Sequence, residues 1–288
     1  MKLQRLVALL ALCAWTGLVS AQPSQVQDGI EVRPLSRFAA LASRERIEQQ
    51  AAQSYAGLLT EAQRKGALVP DTDPQAIRLQ TIAGRIVPFA PRWNPAAANW
   101  RWKVVLLRSK QVNAFCMPGG RIAFFTGILD ALHLTDDEIA AVMGHEIAHA
   151  LREHGREQAG KSMATSAAAH ILGAIASYKY GVDPHLAGAG ANAATQLATL
   201  SFSRDDEREA DLVGLDLAAR AGYDPRAGII LWRKMAALNQ RAPIALLSTH
   251  PGGAERIAAI EQHLNVLMPV YARSKGTTPD KLAPYRSN

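Results

Sequence analysis

The sequence predicts an α+β fold that is mostly helical, with a central helix packed beside a small antiparallel β-sheet. Alanine-rich segments with apolar residues at helical spacing occupy most of the chain. Three short runs rich in β-branched and aromatic residues lie between positions 102 and 126. Thr135 and Glu138 then form a capping box at the start of the next helix. The 288 residues are enough for one large domain or two small ones.

Residues 1–21 have the pattern of a cleavable secretory signal peptide. Lys2 and Arg5 precede an apolar core from Leu6 to Leu18, and small residues ending at Ala21 offer a cleavage site. An uncleaved anchor is the alternative; a lipoprotein signal is excluded because Cys13 lies inside the apolar core. We therefore expect export to the periplasm, with residues 22–34 as a flexible lead.

Charge and cysteine usage exclude several classes of protein. Removal of residues 1–21 lowers the formal charge from +7 to +5, because that segment holds two basic residues and no acidic ones. Such a mild excess, without a block of basic residues and interleaved aromatics, argues against nucleic-acid binding. The remaining chain keeps only Cys116, which we interpret as a small buried hydrophobe, so no internal disulfide is expected.

The elements follow in order from periodicity and from residues that start or stop helices. Helices are predicted over 35–67 and 73–87, a loop over 88–99, strands over 102–108, 112–117 and 121–126, and a helix from 135 to about 157 that Gly160 ends. Segment 160–202 is rich in Ala, Gly and Ser and is interpreted as a packed helical hairpin or, alternatively, a membrane-contacting segment. Further helices are predicted over 203–221, 226–240 and 252–266. The domain covers 35–268, and 269–288 is expected to form a loose tail.

The most specific motif is H-E-x-x-H at residues 145–149. Residues four apart share one face of a helix, so His145 and His149 can both reach one metal ion. Glu146 lies beside that ion, where a carboxylate can take a proton from water. The competing interpretation of the motif alone is a surface helix with two chance histidines.

The acidic helix that begins at Ser203 is expected to supply the third ligand, and the alternative for this segment alone is a solvated helix face with Arg–Asp pairs. Glu207 and Asp211 are four residues apart, so one can bind the metal while the other steadies a ligand histidine through its second nitrogen. We assign Glu207 as the ligand, because Glu209 points elsewhere. His154 is excluded, since five positions after His149 is about 140° around a continuous helix. A metzincin is excluded because it needs glycine at position 152 and histidine at 155.

Four segments together resemble a known family. They are GHEIAHALREHG (144–155), SRDDEREAD (203–211), NAFCMPGGRIAFFTGIL (113–129) and THP (249–251), in that order. They are similar to the family-forty-eight metallopeptidases, which include HtpX, the CAAX prenyl endoproteases and the periplasmic BepA and LoiP types.

The resemblance covers about residues 35–266 and implies a gluzincin-type active-site helix with one Zn²⁺ ion. It implies that His145, His149 and Glu207 bind zinc and that Glu146 is the catalytic base. It also implies that Asp211 is the proton donor, although a role in orienting a ligand imidazole is easier to defend physically. Neither the transmembrane helices of HtpX-like members nor the repeat domain of BepA-like members is expected.

Two further features, a candidate substrate-binding strand and His250, each have an alternative interpretation. The segment Gly120, Arg121, Ile122 and Ala123 is the candidate edge strand for an extended peptide, with an ordinary core strand as the alternative. His250, before Pro251, is predicted to stabilise the oxyanion or to act as an extra ligand that holds the enzyme latent; the alternative is a packing role at a helix start.

The leading hypothesis is a periplasmic zinc endopeptidase that hydrolyses extended or unfolded envelope proteins in quality control. The site would act without nucleic acid and with possible peripheral membrane contact. The alternatives are a chaperone-like module for outer-membrane proteins with a structural zinc, and a zinc amidase acting on peptidoglycan peptides.

Overall fold

The structure is a computed structural model that describes residues 28–166, 202–241 and 243–288. The proposed signal peptide and segment 167–201, which holds most of the expected hairpin, lie outside the described residues. In the part described, no helix is both long and apolar enough to cross a membrane. The mostly helical α+β class with one small sheet is confirmed.

The helices are numbered here in chain order, and several of them begin at a residue whose side chain caps the first turn. Ser43 caps α1, Asp73 caps α2 with Pro74 in its first turn, and Thr135 forms the expected capping box with Glu138 on α4. The bounds are α1 Arg44–Arg64, α2 Pro74–Ile86, α3 Thr126–Leu132, α4 Asp136–Leu151, α5 residues 154–166, α6 Arg204–Arg220, α7 Ala227–Arg241, α8 Ala245–Thr249 and α9 Ala254–Ser274. Short 3-10 helices cover Arg37–Leu41, Val87–Arg92, Pro95–Asn99 and Pro279–Lys281.

The sheet is mixed, and the prediction of an antiparallel sheet is wrong in this respect. Its strands are β1 Lys103–Leu107, β2 Ala114–Met117 and β3 Arg121–Phe125, in the order β1-β3-β2. β3 pairs parallel to β1 and antiparallel to β2. The chain leaves β1, forms β2 one position away, and returns through a tight turn into the space between them.

Two glycines make that turn possible. Gly119 and Gly120 both have positive φ, at +84° and +83°, where other residues are strained. A Cβ on Gly120 would also lie 2.8 Å from the Trp102 ring. The turn therefore depends on glycine both for its backbone angles and for its space.

The predicted edge strand over Gly120, Arg121, Ile122 and Ala123 is a central strand. β3 is paired on both sides, so its backbone groups are committed to the sheet and cannot receive a peptide. Ile122 and Ala123 are fully buried. Among the described residues, β1 and β2 each pair with β3 alone, but the end of β1 also hydrogen-bonds to residues 67–69, whereas β2 packs against α4.

Helices α4 and α6 cross at a very short distance because a glycine lies on each. A Cβ on Gly144 would be 2.4 Å from the Gly214 carbonyl oxygen, and one on Gly214 would be 2.5 Å from the Gly144 carbonyl carbon. These positions must be glycine for the backbones to touch. The close crossing brings the H-E-x-x-H turn and the acidic turn of α6 face to face.

The helix that carries the motif ends earlier than predicted. α4 stops at Leu151, and Glu153 adopts a left-handed conformation with φ +58°, which is unusual for a residue with a side chain. A new helix, α5, then starts at residue 154. Gly160 lies inside α5, where a Cβ would be 1.8 Å from the Phe38 carbonyl oxygen, so it permits close packing and does not end a helix.

The segments on either side of the domain are packed where the structure describes them. Ile30 is buried, which contradicts a flexible lead over its described part. α9 continues through Pro269 to Ser274, and beyond it Tyr285 Oη lies 2.8 Å from Thr135 Oγ1. Ser287 Oγ donates to Glu138 Oε1 at 2.6 Å. The expected loose tail is therefore wrong, because residues 269–288 continue a helix and then contact the start of α4.

Candidate metal centre

Side chains from two helices converge on one buried point. The Nε2 atoms of His145 and His149, one turn apart on α4, are 3.1 Å from each other. Glu207 from α6 places one carboxylate oxygen 3.4 Å from His145 Nε2 and the other 3.3 Å from His149 Nε2. All three residues are buried. Two imidazole nitrogens and a carboxylate are a donor set that fits a zinc ion.

Glu146 lies beside this point with a free oxygen. It is 3% exposed, and its Oε1 has no hydrogen-bond partner among the described residues. Burial raises the pKa of the Glu146 carboxyl. A buried carboxylate with an unsatisfied oxygen is costly unless a water or a substrate completes it, so this group is suited to accept a proton.

The ring nitrogen of His145 that faces away from the converging atoms contacts a carboxylate. Its Nδ1 lies 3.1 Å from Asp211 Oδ1, one turn after Glu207 on α6, and Trp232 Nε1 donates to the same oxygen at 3.2 Å. Burial lowers the pKa of His145, but the carboxylates of Asp211 and Glu207 outweigh it and raise the pKa to about 9. The structure thus places Asp211 where it can orient an imidazole.

Arg256 completes this network, and the sequence analysis missed it. Its guanidinium donates to both oxygens of Asp211 and to Glu207 Oε2, each at 2.6 Å, and lies over the Trp232 ring at 3.6 Å. Arg256 is only 2% exposed. Burial would raise the pKa of Asp211, but Arg256 lowers it. The available signal was its position one turn before Ile260, on the apolar face of a helix.

His149 is held by different groups. The Phe202 ring stacks on its imidazole with centroids 4.1 Å apart, and its Nδ1 lies 2.9 Å from His154 Nδ1. Burial lowers the pKa of His149 well below its usual value. His154 therefore contacts the nitrogen that faces away from the converging atoms, in agreement with its exclusion as a ligand.

His250 lies inside the cluster. Its Nδ1 is 3.0 Å from Glu207 Oε1 and 3.3 Å from His145 Nε2, and its Nε2 is 3.8 Å from Glu146 Oε1. One ligand atom from each of His145, His149, Glu207 and His250 lies within 4.8 Å of the others. The four residues could together surround one metal ion.

A cleft of about 280 Å³ opens onto these groups. β2 forms one wall, and Cys116 in this strand has a thiol pKa that burial raises well above its usual value. None of Gly120, Arg121, Ile122 and Ala123 lines the cleft. The large apolar side chains that line it are Ile47, Trp100, Phe115, Met117, Phe125 and Phe202.

Comparison with known proteins agrees with this geometry. A model of peptidase family M48 matches residues 75–264. Metalloprotease LoiP of Escherichia coli is 27% identical over 212 residues, which cover 71% of this chain and 77% of that protein. Mitochondrial metalloendopeptidase OMA1 of Arabidopsis thaliana is 37% identical over 161 residues, covering 56% of this chain and 31% of the relative.

A third relative, the beta-barrel assembly-enhancing protease of Escherichia coli, is 30% identical over 178 residues, which cover 59% of this chain and 36% of that protein. Three OMA1 proteins share 31%, 55% and 64% of their own lengths with this chain. The family match spans both helices that bear His145, His149 and Glu207, and it shows that the chain belongs to peptidase family M48.

Proposed function

We propose that the protein is a zinc-dependent endopeptidase that cleaves extended or unfolded polypeptides. The observation that carries the proposal is the convergence of two imidazole nitrogens and the Glu207 carboxylate beside the unpartnered Glu146 oxygen. When bound, zinc supplies Lewis acidity toward the scissile carbonyl and toward water. His145, His149 and Glu207 would hold it.

Glu146 acts as the general base in this scheme. It takes a proton from the attacking water and later delivers it to the leaving amine. Its burial and raised pKa favour a group that holds a proton between the two steps. No covalent intermediate with the protein is needed.

Asp211 orients His145 and does not donate a proton. Its Oδ1 already receives Trp232 Nε1 and Arg256, and its Oδ2 receives Arg256 Nε. A carboxylate whose lone pairs are occupied and whose pKa is lowered is poorly suited to carry a proton at neutral pH.

β2 replaces β3 as the strand that binds substrate. It is paired on one side only among the described residues and lines the cleft beside Glu146 and His149. An extended peptide can add to such an edge through backbone hydrogen bonds, which give affinity without strong sequence preference. The large apolar side chains of the cleft favour apolar substrate residues.

His250 holds the enzyme latent in our proposal. It lies close enough to complete a four-ligand set, which would leave no position for water. His250→Ala should then raise peptidase activity. Lost activity at unchanged zinc content would favour the oxyanion role instead, and unchanged activity a packing role.

The cellular setting is the periplasm, with protein quality control as the task and peripheral membrane contact possible. The name of one bacterial relative, the beta-barrel assembly-enhancing protease, supports an envelope role, and a second, LoiP, is a metalloprotease by name. The OMA1 relatives are mitochondrial by name. All are proteases, which favours proteolysis over a purely structural use of zinc.

Glu146→Gln tests the function. The variant should keep zinc but lose at least a hundredfold of casein hydrolysis, because general-base catalysis contributes about 10²–10⁴-fold. Glu255→Gln, at an exposed surface pair with Arg204, is the matched control and should retain activity. Full biological effect with Glu146→Gln would favour the chaperone-like alternative. Release of peptides from cell-wall fragments but not from casein would favour the amidase.

A further inference from the structure

We propose that His154 is a positioning residue for the metal ligand His149, and that a carboxylate pair fixed by arginines holds His154 in turn. The inference rests on the proposed metal site. It concerns a histidine that the motif does not include and that does not reach the cluster itself.

The break after α4 is what allows His154 to face His149. On a continuous helix the two side chains would point about 140° apart. The left-handed Glu153, with φ +58°, redirects the chain so that their Nδ1 atoms lie 2.9 Å apart. Glu153 is anchored in this unfavourable conformation by Arg44, at 2.6 Å, and by Arg156, at 2.5 Å. Glu153 therefore keeps an unfavourable backbone conformation at the position that sets the direction of the His154 side chain.

The contact between the two rings fixes which atom carries each proton. His149 directs Nε2 toward Glu207, so as a ligand it must carry its proton on Nδ1. His154 Nδ1 then accepts that hydrogen bond and carries its own proton on Nε2. This is the arrangement by which the second nitrogen of a ligand histidine sets its tautomer and ring orientation.

Two carboxylates face the far side of His154. Its buried Nε2 lies 3.7 Å from Glu209 Oε1 and 3.9 Å from Asp206 Oδ1, and it has no hydrogen-bond partner among the described residues. The tautomer with its proton on Nε2 is favoured there, because both of these carboxylates are negative. That tautomer leaves the Nδ1 lone pair free for His149.

Those carboxylates are themselves held in place. Glu209 accepts from Arg152 Nε and, at 2.8 Å, from Arg33 Nε. Asp206 accepts from Arg33 and, at 2.6 Å, from Ser203 Oγ. The chain of contacts thus runs from the segment before α1, through α6, to a metal-facing histidine. The competing interpretation is that His154 is an ordinary core histidine whose loss would affect folding alone.

The first test uses the unmodified full chain loaded with zinc. Long-range ¹H–¹⁵N spectra of ¹⁵N-histidine-labelled protein report the proton position on each imidazole. We expect His149 to carry its proton on Nδ1 and His154 on Nε2, with signals assigned from single His→Gln variants. A proton on Nδ1 of His154 would overturn the proposal.

The second test measures zinc affinity by competition with a chromophoric chelator. His154→Phe keeps a ring but lacks the acceptor, and it should bind zinc about 10–100-fold more weakly. His154→Gln restores an acceptor and should recover part of that loss. The control His263→Phe alters a half-buried histidine on α9 that contacts Ala259 O, and it should leave zinc affinity unchanged.

The outcomes separate this inference from the proposed function. Wild-type zinc binding with unchanged affinity in a folded His154→Phe protein would overturn the positioning role and leave the metal site intact. Absence of zinc binding in the wild type would overturn both. If His154→Phe does not fold, the proton positions in the wild type decide the question.

Discussion

The two histidines of the proposed metal site lie one turn apart on the same helix, yet the ring nitrogens that face away from the site are held in different ways. His145 is backed by Asp211 and the fully buried Arg256. His149 is backed by His154, and through it by carboxylates that reach the half-exposed Arg33. The first arrangement is built within the core; the second ends at the surface, in a segment that precedes the domain's helices.

The difference between the two sides predicts where substitutions near the centre are tolerated. Removal of one partner from a buried ion pair leaves an uncompensated charge and costs about 3–5 kcal/mol. Pairs that reach solvent contribute about 0–1 kcal/mol. Loss of one partner beside His145 should therefore destabilise the protein strongly. Loss of one partner beside His149 should lower the stability by a smaller amount.

The largest expected effect is on the His145 side. Arg256→Leu leaves Glu207 and Asp211 without their shared cation, and should lower the free energy of unfolding by about 3–5 kcal/mol in urea titrations. Arg273→Leu, on the same helix but 54% exposed and paired with Asp28, is the matched control and should cost about 1 kcal/mol or less. Equal effects of the two variants would remove the distinction between the sides.

An intermediate effect is expected at Glu209, and it depends on pH. Burial would raise the pKa of Glu209, but His154 and Arg152 outweigh it and lower the pKa from 4.5 to about 2. Because the folded pKa is the lower one, the stabilisation is complete above about pH 4.5 and is lost as pH falls toward 2. Glu209→Gln should thus be less stable than wild type at pH 7, by at most about 3 kcal/mol, and the difference should shrink below pH 4.5.

Glu61 provides the control for that pH dependence. It pairs with Arg64 and Lys65 on the exposed surface of α1, where water and salt screen the charges. Glu61→Gln should give a smaller difference at pH 7 than Glu209→Gln, and added salt should reduce it. Thermal unfolding at pH 3, 5 and 7 measures both. A difference at Glu209 that grows as the pH falls would contradict the pairing.

The smallest effect is expected at Arg33, the surface end of the His149 side. Arg33→Ala should cost about 1 kcal/mol, since its side chain is 42% exposed, although it contacts Asp206 and Glu209. Arg64→Ala, a still more exposed arginine, should cost less. A loss at Arg33 as large as that at Arg256 would show that the His149 side is also held as one buried unit.

Local signals in the sequence predicted the parts of the centre that depend on helix geometry. The helical period places residues four apart on one face, which applies to His145 with His149 and to Glu207 with Asp211. Helix capping preferences predict the Thr135 capping box. The features that were wrong or missed depend on contacts distant in sequence. β3 lies between two strands because the chain passes from β1 to β2 and then turns back into the space between them. Arg256 reaches Asp211 and Glu207 only because α9 packs against α6.

The role of His154 shows a different limit. The sequence predicts a continuous helix here, because nothing local marks Glu153 as left-handed and glycine is the usual residue for that conformation. In the structure this conformation is accompanied by ion pairs of Glu153 with Arg44 on α1 and Arg156 on α5. Similarly, the sequence predicts a helix end at Gly160, whereas in the structure this glycine lies inside α5 and leaves space for the Phe38 carbonyl.

The central claim is that His145, His149 and Glu207 hold one zinc ion beside Glu146, and metal analysis of the purified chain tests it most directly. Wild type and Glu146→Gln should each contain about one zinc per chain, because Glu146 is not a ligand in this site. Glu207→Gln, which removes a ligand charge at nearly unchanged size, should contain far less after the same dialysis while it remains folded. A folded Glu207→Gln protein that keeps one zinc per chain with wild-type affinity would contradict the account.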